Sequence, residues 1–538
     1  MNVNKLIGSF LRENKGFLLS YIVFMIAYPL TSVLLPKYYG QLFDDLKEGR
    51  KLQYKEALVL LLVTNAMYTI LDKIDSVFLP KLQAYVRTHI VRVVLENYKD
   101  KFQEQEIGIL ISKIVKLPIV IRDLARQVRN YIIPIVLILI AAVGRFTVID
   151  KRLGAFALMG VIVLLTVLIP YAKHCVRVAA NVDHEADTIH EDIAELFDNL
   201  MDIYAMGTYE KEMNALDRNQ NEIINRYRRS YNSSNNLRCT MNGLGIAIFV
   251  GLTVYGYNLY KRDQIGLTDM LNVVLTAKYI IGKIGSFSGE LPDMLFNVGT
   301  YVRSQEFLSK IAKNGESQAT ETFQFPKGQI VFKDVGIAYG DKSVIENFNL
   351  PIQPSECIAL IGKIGAGKSS LVKALLKLLP YTGEIYVDGK NTSTLDPSSV
   401  RAQVLYVRQN PLPFNRTLYE NIVYGNETVT KRQVSELFDR YDLHSFFRHG
   451  LDTRVGKKGG KLSGGQKMVM FLLRIIIQKK KKIVVIDEPT SSLDPVTASK
   501  IIEIIRDVTQ KQTTIIITHD EKVSAIADRV IVVGSKTE

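Results

Sequence analysis

Hydrophobic residues form long runs over the first half of the chain, and charged segments separate these runs. Each run can cross a bilayer as a helix, because an α-helix rises about 1.5 Å per residue and the hydrocarbon layer is about 30 Å thick. The pattern predicts an all-α membrane domain with six spans, namely Phe17–Leu35, Ala57–Leu79, Tyr131–Ile149, Leu153–Ala172, Leu244–Tyr260 and Leu267–Phe287.

The links between the runs differ in length and charge. Pro80–Asn130 and Lys173–Gly243 are long, charged and rich in helix-forming residues, whereas the other links are short. If each long link is a helical hairpin, it reaches roughly 40–50 Å beyond the bilayer. Basic residues concentrate in the long links, so the positive-inside rule places them in the cytosol. The short link around Arg145 and Lys151 is also basic and counts against that placement.

The pattern changes after residue 312. Lys313–Thr322 is polar and prone to turns, and from Phe323 short apolar strands alternate with short helices. This alternation is typical of a soluble α/β domain. We therefore predict a multidomain protein: a membrane domain over residues 1–312, a linker over 313–322 and an α/β domain over 323–538.

Charge and cysteine content narrow the class of protein. The net charge of +14 allows either nucleic acid or an anionic membrane surface as a partner, and the apolar runs favour the membrane. The three cysteines are scattered along the 538 residues, which favours reduced structural thiols over a disulfide framework or a metal cluster.

A glycine-rich loop is the strongest sign of chemistry in the second half. It follows Cys357–Ile361, a predicted buried strand, and precedes a predicted helix that starts near Leu371. The spacing G-x-x-x-x-G-K-[ST] in this context predicts a P-loop, in which backbone N–H groups wrap a phosphate chain at a helix N-terminus, and so an α/β P-loop ATPase domain. Lys368 is expected to reach the β- and γ-phosphates, and the Ser369 hydroxyl to bind Mg²⁺. The predicted nucleotide contacts are Gly362, Gly365, Ala366, Gly367, Lys368, Ser369 and Ser370.

Two carboxylates end a second buried strand, Ile483–Ile486. Asp487 is expected to hold Mg²⁺ through water. Glu488 is expected to polarise the water that attacks the γ-phosphate.

Three more side chains are candidates for the same site. His519 follows the apolar strand Thr514–Ile517 and can reach the γ-phosphate from the strand tip. The amide of Gln409 precedes a loop, where it can contact Mg²⁺ and the attacking water. Tyr339 follows a strand ahead of the glycine loop, where it can stack on adenine, although a core position is the alternative for this residue alone.

A second anion site is predicted where Leu462–Gln466 opens a helix. A small hydroxyl and glycines at a helix N-terminus present free N–H groups to an anion. The candidate contacts are Ser463, Gly464, Gly465 and Gln466, together with Asp494 after the carboxylate strand.

This ordered series resembles the nucleotide-binding domain of ATP-binding cassette (ABC) transporters. Leu462–Gln466 matches the LSGGQ signature of that family, Gly362–Ser369 its Walker A loop, and Asp487 with Glu488 its Walker B end. Four other positions resemble the A-loop aromatic, the Q-loop, the D-loop and the switch histidine, namely Tyr339, Gln409, Ser491–Asp494 and His519. The lysines around the signature, Lys457, Lys458 and Lys467, depart from the family pattern.

The resemblance extends over nearly the whole chain, because the first half is similar to the membrane domain of ABC exporters. In that comparison, Phe102–Ile114 and Tyr204–Glu212 correspond to the tips of the two cytosolic hairpins. The resemblance implies a multi-pass membrane exporter that binds ATP and Mg²⁺, with its nucleotide-binding domain in the cytosol. With one cassette in the chain, it implies either a homodimer or a dimer with a related half-transporter.

Other functions stay open from the sequence. One is an ATP-gated channel or a regulatory ABC membrane protein, and another, disfavoured by the apolar runs, is a soluble cassette ATPase on nucleic acid. The transported molecule is not identified: lipids, peptides and other small molecules are all compatible. Lys278 and Lys283 lie in the sixth predicted span and point to different sides of its helix. Either one of them faces a substrate cavity and binds an anionic amphiphile, or they pair with Asp72 or Asp75 or extend to the membrane surface.

Overall fold

The structure is a computed structural model that describes residues 3–47, 49–50, 54–97, 107–314, 321–340, 342–447, 449–478, 480–491 and 493–534. The chain forms two compact units. A helical unit ends at Lys313, and a sheet-containing unit begins at Asn314.

Long helices make up the first unit. Five of the predicted spans lie within one helix each, and the span Tyr131–Ile149 begins on a π-helical turn just before its helix. Their bounds are α1 (Val3–Glu13), α2 (Lys15–Lys47), α3 (Tyr54–Asn97), α4 (Ile107–Gln127), α5 (Ile133–Ile149), α6 (Lys151–Asp198), α7 (Leu200–Met206), α8 (Tyr209–Lys261) and α9 (Leu267–Asn314). A π-helical turn, Val128–Ile132, joins α4 to α5.

Four segments of the described chain are long and apolar enough to span a membrane: Tyr54–Glu96, Leu110–Ile149, Lys151–Val182 and Tyr209–Lys261. In α2 the apolar part, Lys15–Pro29, is shorter than such a span. Helix α9 carries Lys278 and Lys283 and is not among the four. Six spans in total therefore stay a prediction, whereas the apolar helical character of the unit is confirmed.

The second hairpin is formed by α6 and α8, with the short helix α7 at its tip. Helix α7 ends because Gly207 adopts a left-handed conformation (φ 65°), which closes the helix with backbone hydrogen bonds to Ile203 and Tyr204. The predicted tip segment Tyr204–Glu212 thus contains the end of α7, a turn and the first turn of α8 rather than one helix. The predicted first tip, Phe102–Ile114, lies outside the described residues up to residue 106, and from Ile107 it is helical.

Buried side chains of α5, α6, α8 and α9 form the core of the helical unit. The most enclosed include Phe146, Leu153, Leu237 and Leu291. On the outer surface, large apolar residues such as Ile140, Val148 and Met159 stay exposed. Exposed apolar surface of this kind is expected where lipid is the solvent.

Two sheets form the second unit. An antiparallel sheet has the order β2-β1-β4-β5, and a parallel sheet has the order β6-β7-β8-β3-β9. The strands are β1 (Ile330–Tyr339), β2 (Lys342–Ile352), β3 (Cys357–Ile361), β4 (Thr382–Val387), β5 (Lys390–Asn391), β6 (Val404–Val407), β7 (Ile483–Asp487), β8 (Thr513–Ile517) and β9 (Arg529–Val532). The helices are α10 (Lys368–Leu375), α11 (Pro397–Arg401), α12 (Leu418–Ile422), α13 (Lys431–Arg440), α14 (Gly464–Ile477), α15 (Pro495–Thr509) and α16 (Glu521–Ser524).

The parallel sheet is covered on both faces, which explains its uninterrupted apolar strands. Along β7, Ile483 and Val485 pack into one core, while Val484 and Ile486 pack into the other. Strand side chains alternate between the two faces, so a strand between two cores needs an apolar residue at every position. The predicted α/β fold of this domain is confirmed.

Candidate nucleotide-binding site

Four neighbouring parallel strands end at the same edge of the sheet, and each end carries predicted site residues. Strand β3 leads into the glycine loop, β6 is followed by Gln409, β7 ends in Asp487 and Glu488, and β8 is followed by His519. Because parallel strands share their carboxyl edge, residues from four distant parts of the sequence meet there. Ligands of open α/β sheets bind outside this edge.

The loop after β3 needs glycine for steric and conformational reasons. Gly367 (φ 91°) is the N-cap of α10, in a conformation that strains other residues. At Gly362 (φ 144°), a Cβ atom would lie 2.5 Å from the carbonyl oxygen of Val533. The loop backbone therefore stays open at the N-terminus of α10, where N–H groups and the helix dipole favour a phosphate.

Lys368, the first residue of α10, lies across this loop. Its Nζ donates to the carbonyl oxygens of Gly362 (2.8 Å) and Lys363 (3.1 Å), and it lies 3.3 Å from Nε2 of His519. The side chain is buried. The ammonium is thus held beside the loop, where it can meet phosphate oxygens after a small rearrangement.

Ser369 and Asp487 place hard oxygen atoms side by side. The Ser369 hydroxyl donates to Oδ2 of Asp487 at 3.1 Å, and the Tyr406 hydroxyl of β6 donates to the same oxygen at 3.0 Å. Oxygen donors are what Mg²⁺ prefers, and it commonly takes one or two of them from protein and the rest from water and phosphates. These oxygens therefore suit Mg²⁺ bound with a nucleotide.

Glu488 stands next to His519 at the end of the sheet. Its carboxylate oxygen Oε1 lies 3.4 Å from Nε2 of His519, and its backbone N–H donates to the carbonyl oxygen of Ile517. Burial raises the pKa of Glu488 above its ordinary value, while His519 and Lys368 oppose that shift. A carboxylate with a raised pKa is a stronger base than an exposed one, as a general base requires.

Gln409 and Tyr339 lie at the rim of the site. Gln409 is exposed, and its amide nitrogen lies 3.4 Å from the Ser491 hydroxyl, so in this structure it faces the D-loop segment. Tyr339 is 47% exposed, which argues against the core position that the sequence left open. Its hydroxyl lies 3.1 Å from the Ser370 hydroxyl, close to the glycine loop.

The signature residues form the start of α14. Ser463 is the N-cap, and its hydroxyl accepts from the Gln466 N–H while the Gln466 side chain accepts from the Ser463 N–H. This capping box explains the S-x-x-Q spacing. Gly465 packs against α15, where a Cβ atom would lie 2.4 Å from Cγ2 of Thr497. Gly464 faces the neighbouring Leu493.

The remaining polar contacts of this region are local as well. The Gln466 side chain donates to the Phe446 carbonyl oxygen. Asp494 is the N-cap of α15, where hydrogen bonds from Thr497 lower the pKa of its carboxyl group. The signature is therefore held at the surface by residues that lie close to it in the structure.

Two features escaped the sequence reasoning. One is the contact of the Tyr406 hydroxyl with Asp487. The sequence indicated it only by a tyrosine in the apolar strand that precedes Gln409. The other is in the helical unit, where Arg129 Nη2 donates to Asp72 (2.9 Å) and to Asp75. The predicted pairing of a lysine with Asp72 or Asp75 is therefore wrong, because Arg129 takes both carboxylates.

Comparison with known proteins agrees with this geometry. Residues 345–491 match the family model described as ABC transporter. The solved "Structure of a bacterial Atm1-family ABC exporter with ATP bound" superposes with a TM-score of 0.83 over 98% of this chain and 95% of that one, at 19% identity. The chain therefore contains an ABC transporter domain, and over its length it is similar in fold to an ABC exporter. The predicted family and fold are thereby confirmed.

Relatives from distant organisms align with most of the half-transporter. An "Uncharacterized ABC transporter ATP-binding protein" of Haemophilus influenzae is 24% identical over 463 residues, which cover 83% of this chain and 74% of the relative. The human "ABC-type oligopeptide transporter ABCB9" is 24% identical over 534 residues, which cover 95% of this chain and 68% of the relative. ABC transporters couple ATP hydrolysis to transport, and this chain is similar to them in sequence and in fold.

Proposed function

We propose that two copies of this half-transporter form an ATP-driven exporter with two nucleotide sites between the subunits. The observation that carries the proposal is the shared edge of β3, β6, β7 and β8, which gathers the residue types needed to bind and hydrolyse ATP. The assignment of individual roles below is part of the proposal.

The reaction follows from the chemistry of these side chains. Glu488 accepts a proton from water, the water oxygen forms a bond to the γ-phosphorus, and the bond to the β–γ bridging oxygen breaks to release ADP and phosphate. Lys368 and His519 donate hydrogen bonds to the γ-phosphate oxygens as their charge grows. Ser369 and Asp487 would hold Mg²⁺, with Gln409 at its edge, and the ion would neutralise phosphate charge. The exposed ring of Tyr339 would stack on the adenine.

The dimer explains why the signature is built apart from the phosphate loop. Its hydroxyl and N–H groups sit at the N-terminus of α14 and have local partners. In a dimer, each ATP would lie between Lys368 of one subunit and the partner subunit's Ser463. The γ-phosphate then holds the two subunits together, and its hydrolysis releases them. This motion would open the helical units alternately to the two sides of the membrane.

Mixing of two inactive variants tests this arrangement. Lys368→Ala removes the phosphate ligand, and Ser463→Arg blocks the signature, so neither variant alone should hydrolyse ATP. In a mixed dimer, one site combines an intact phosphate loop with an intact signature. Recovery of ATPase activity on co-expression supports the proposal, whereas two variants that stay inactive together contradict it.

Transport is tested with the purified chain in liposomes. ATP-dependent movement of a labelled lipid, peptide or amphiphilic ion is expected, together with stimulation of the ATPase by that molecule. A steady ATP-dependent ionic current without movement against a gradient would instead favour the channel. Binding to nucleic acid is not expected. The nucleotide-binding domain is expected to face ATP in the cytosol.

A further inference from the structure

An ion cluster centred on a buried arginine lies in the helical unit. Arg129 is on the π-helical turn between α4 and α5, where the Ile133 N–H donates to the Val128 carbonyl oxygen, five residues back. Its side chain is 5% exposed. One guanidinium nitrogen, Nη2, contacts Asp72 and Asp75 on α3, and the buried Tyr21 hydroxyl lies close to the same charges. Nε and Nη1 are buried and make no hydrogen bond of ordinary geometry within the described structure. A buried guanidinium rarely leaves two nitrogen atoms without partners.

A cavity of about 230 Å³ adjoins this guanidinium. Its wall includes Tyr28, Tyr68, Tyr131 and Phe287, and the charged side chains in its lining are Arg129 and Lys283. The two aspartates bound to Arg129 are not part of the lining. The wall is therefore aromatic and cationic, while the balancing carboxylates stand behind it.

Lys283 supplies the second cation. Its Nζ lies 5.8 Å from the centre of the Tyr28 ring and 5.5 Å from that of Tyr279, and no carboxylate of the described chain forms an ion pair with it. An ammonium group within a membrane helix is costly without a counter-charge. The aromatic rings offset part of that cost, and an anion in the cavity would offset more.

We propose that this cavity binds the anionic group of an amphiphilic molecule, as a substrate subsite of the proposed exporter. The anion, a carboxylate, sulfonate or phosphate, contacts the Lys283 ammonium and the free N–H groups of Arg129. An attached aromatic or aliphatic part packs against Tyr28, Tyr68 and Phe287. The volume suits a small aromatic ring system with its charged group, since an apolar cavity of about 150 Å³ holds benzene.

The chain contains a matched control on the same helix. Lys278 is exposed and does not line the cavity, so Lys278→Ala and Lys283→Ala remove the same charge from different surroundings. We would measure equilibrium binding to the full chain in phosphatidylcholine nanodiscs without ATP. The probes share one ring system: 2-naphthoate, naphthalene-2-sulfonate, 2-naphthyl phosphate and the neutral 2-naphthol. Empty nanodiscs give the lipid background.

The anions should bind at least about tenfold more tightly than 2-naphthol, because charge-assisted hydrogen bonds are stronger than neutral ones. Lys283→Ala should weaken anion binding by about tenfold or more, Lys283→Glu should abolish it, and Lys278→Ala should leave it unchanged. Equal effects of the two alanine variants, or equal binding of anions and 2-naphthol, would overturn the proposal.

Two further measurements keep the test decisive. If Lys283→Ala does not fold, binding to the wild-type chain is measured at increasing ionic strength instead. Anion binding should weaken as ionic strength rises, whereas 2-naphthol binding should not. Anion binding that does not depend on salt overturns the proposal. Competition by phosphatidylglycerol assigns the site to a lipid headgroup, and its absence assigns the site to a soluble anion. Because binding is measured without ATP, a chain that binds anions but fails the ATPase test contradicts the proposed exporter and leaves the anion site standing.

Discussion

In the nucleotide site the charged and polar side chains satisfy one another: Lys368 donates to loop carbonyls, and Ser369 and Tyr406 donate to Asp487. Beside the cavity of the helical unit, Arg129 and Asp75 contact each other, yet each keeps buried atoms without a hydrogen-bond partner among the described residues. The first arrangement is stable alone and must rearrange to take up a ligand. The second leaves two guanidinium nitrogen atoms without a hydrogen-bond partner among the described residues, so an anionic ligand can accept from them.

The largest expected effect is on the nucleotide side of this comparison. Glu488→Gln should lower kcat for ATP hydrolysis by about 10²–10⁴-fold, because the amide cannot accept the proton. ATP binding should persist, and the closed dimer should accumulate in ATP, as measured by nucleotide binding and by cross-linking. Hydrolysis near the wild-type rate would mean that another group is the base.

On the membrane side, Arg129→Ala should destabilise the protein. It leaves Asp75 buried without its cation, which typically costs about 3–5 kcal/mol of unfolding free energy. Denaturant unfolding of the purified protein in detergent measures this cost. Arg122→Ala is the control: this arginine contacts Asp123 from a more exposed position and should cost about 1 kcal/mol or less.

A double variant sharpens the interpretation of that loss. Combining Arg129→Met with Asp75→Asn removes both buried charges together. Much of the lost stability should return if the cost comes from the uncompensated carboxylate. A double variant as unstable as Arg129→Ala would show instead that packing of the guanidinium is what matters.

A smaller effect is expected at Tyr406. Burial and the nearby Asp487 raise the pKa of this phenol, so it keeps its proton and donates to the carboxylate. Tyr406→Phe should raise the Mg²⁺ concentration for half-maximal ATPase activity by about tenfold, the lower end for loss of a group that orients a metal ligand. Tyr381→Phe, whose hydroxyl contacts Thr392, should leave it unchanged.

The smallest effect is a shift along the pH axis. Glu488 must be ionised to accept a proton, so activity falls as pH falls through its pKa, which burial raises. The acid limb of kcat/KM, which reports the free enzyme, should therefore lie above the value of about 4.3 for an ordinary glutamate. A limb at or below that value would show that His519 and Lys368 outweigh burial.

The sequence predicts a site well when the residues of the site form contiguous motifs, and poorly when they come from distant parts of the chain. The phosphate loop, the signature and the carboxylate strand are contiguous motifs, and the apolar strands around them predicted the sheet that brings them together. The Tyr406 contact required the order of the parallel sheet, which the sequence alone does not specify. The Arg129 cluster joins residues 54 and 57 positions apart on different helices. Local pattern carries no information about that pairing.

The ends and the surroundings of helices are also set by features that the hydrophobic pattern does not show. The end of α7 at Met206 depends on the single left-handed Gly207. In α9 the two lysines lower the hydrophobicity, so composition alone does not distinguish a membrane span from a helix that lines a polar cavity. Packing decides such cases, and packing is a property of the whole chain.

The backbone of Glu488 has a consequence for how this sequence diverges among descendants. Its φ of 47° lies in the left-handed region, which glycine and asparagine enter more readily than glutamate does. In a lineage released from the need to hydrolyse ATP, drift at this position should run toward glycine or asparagine, with a gain in domain stability. A glutamate at this position therefore carries a conformational cost, as expected if its carboxylate is used in the proposed reaction.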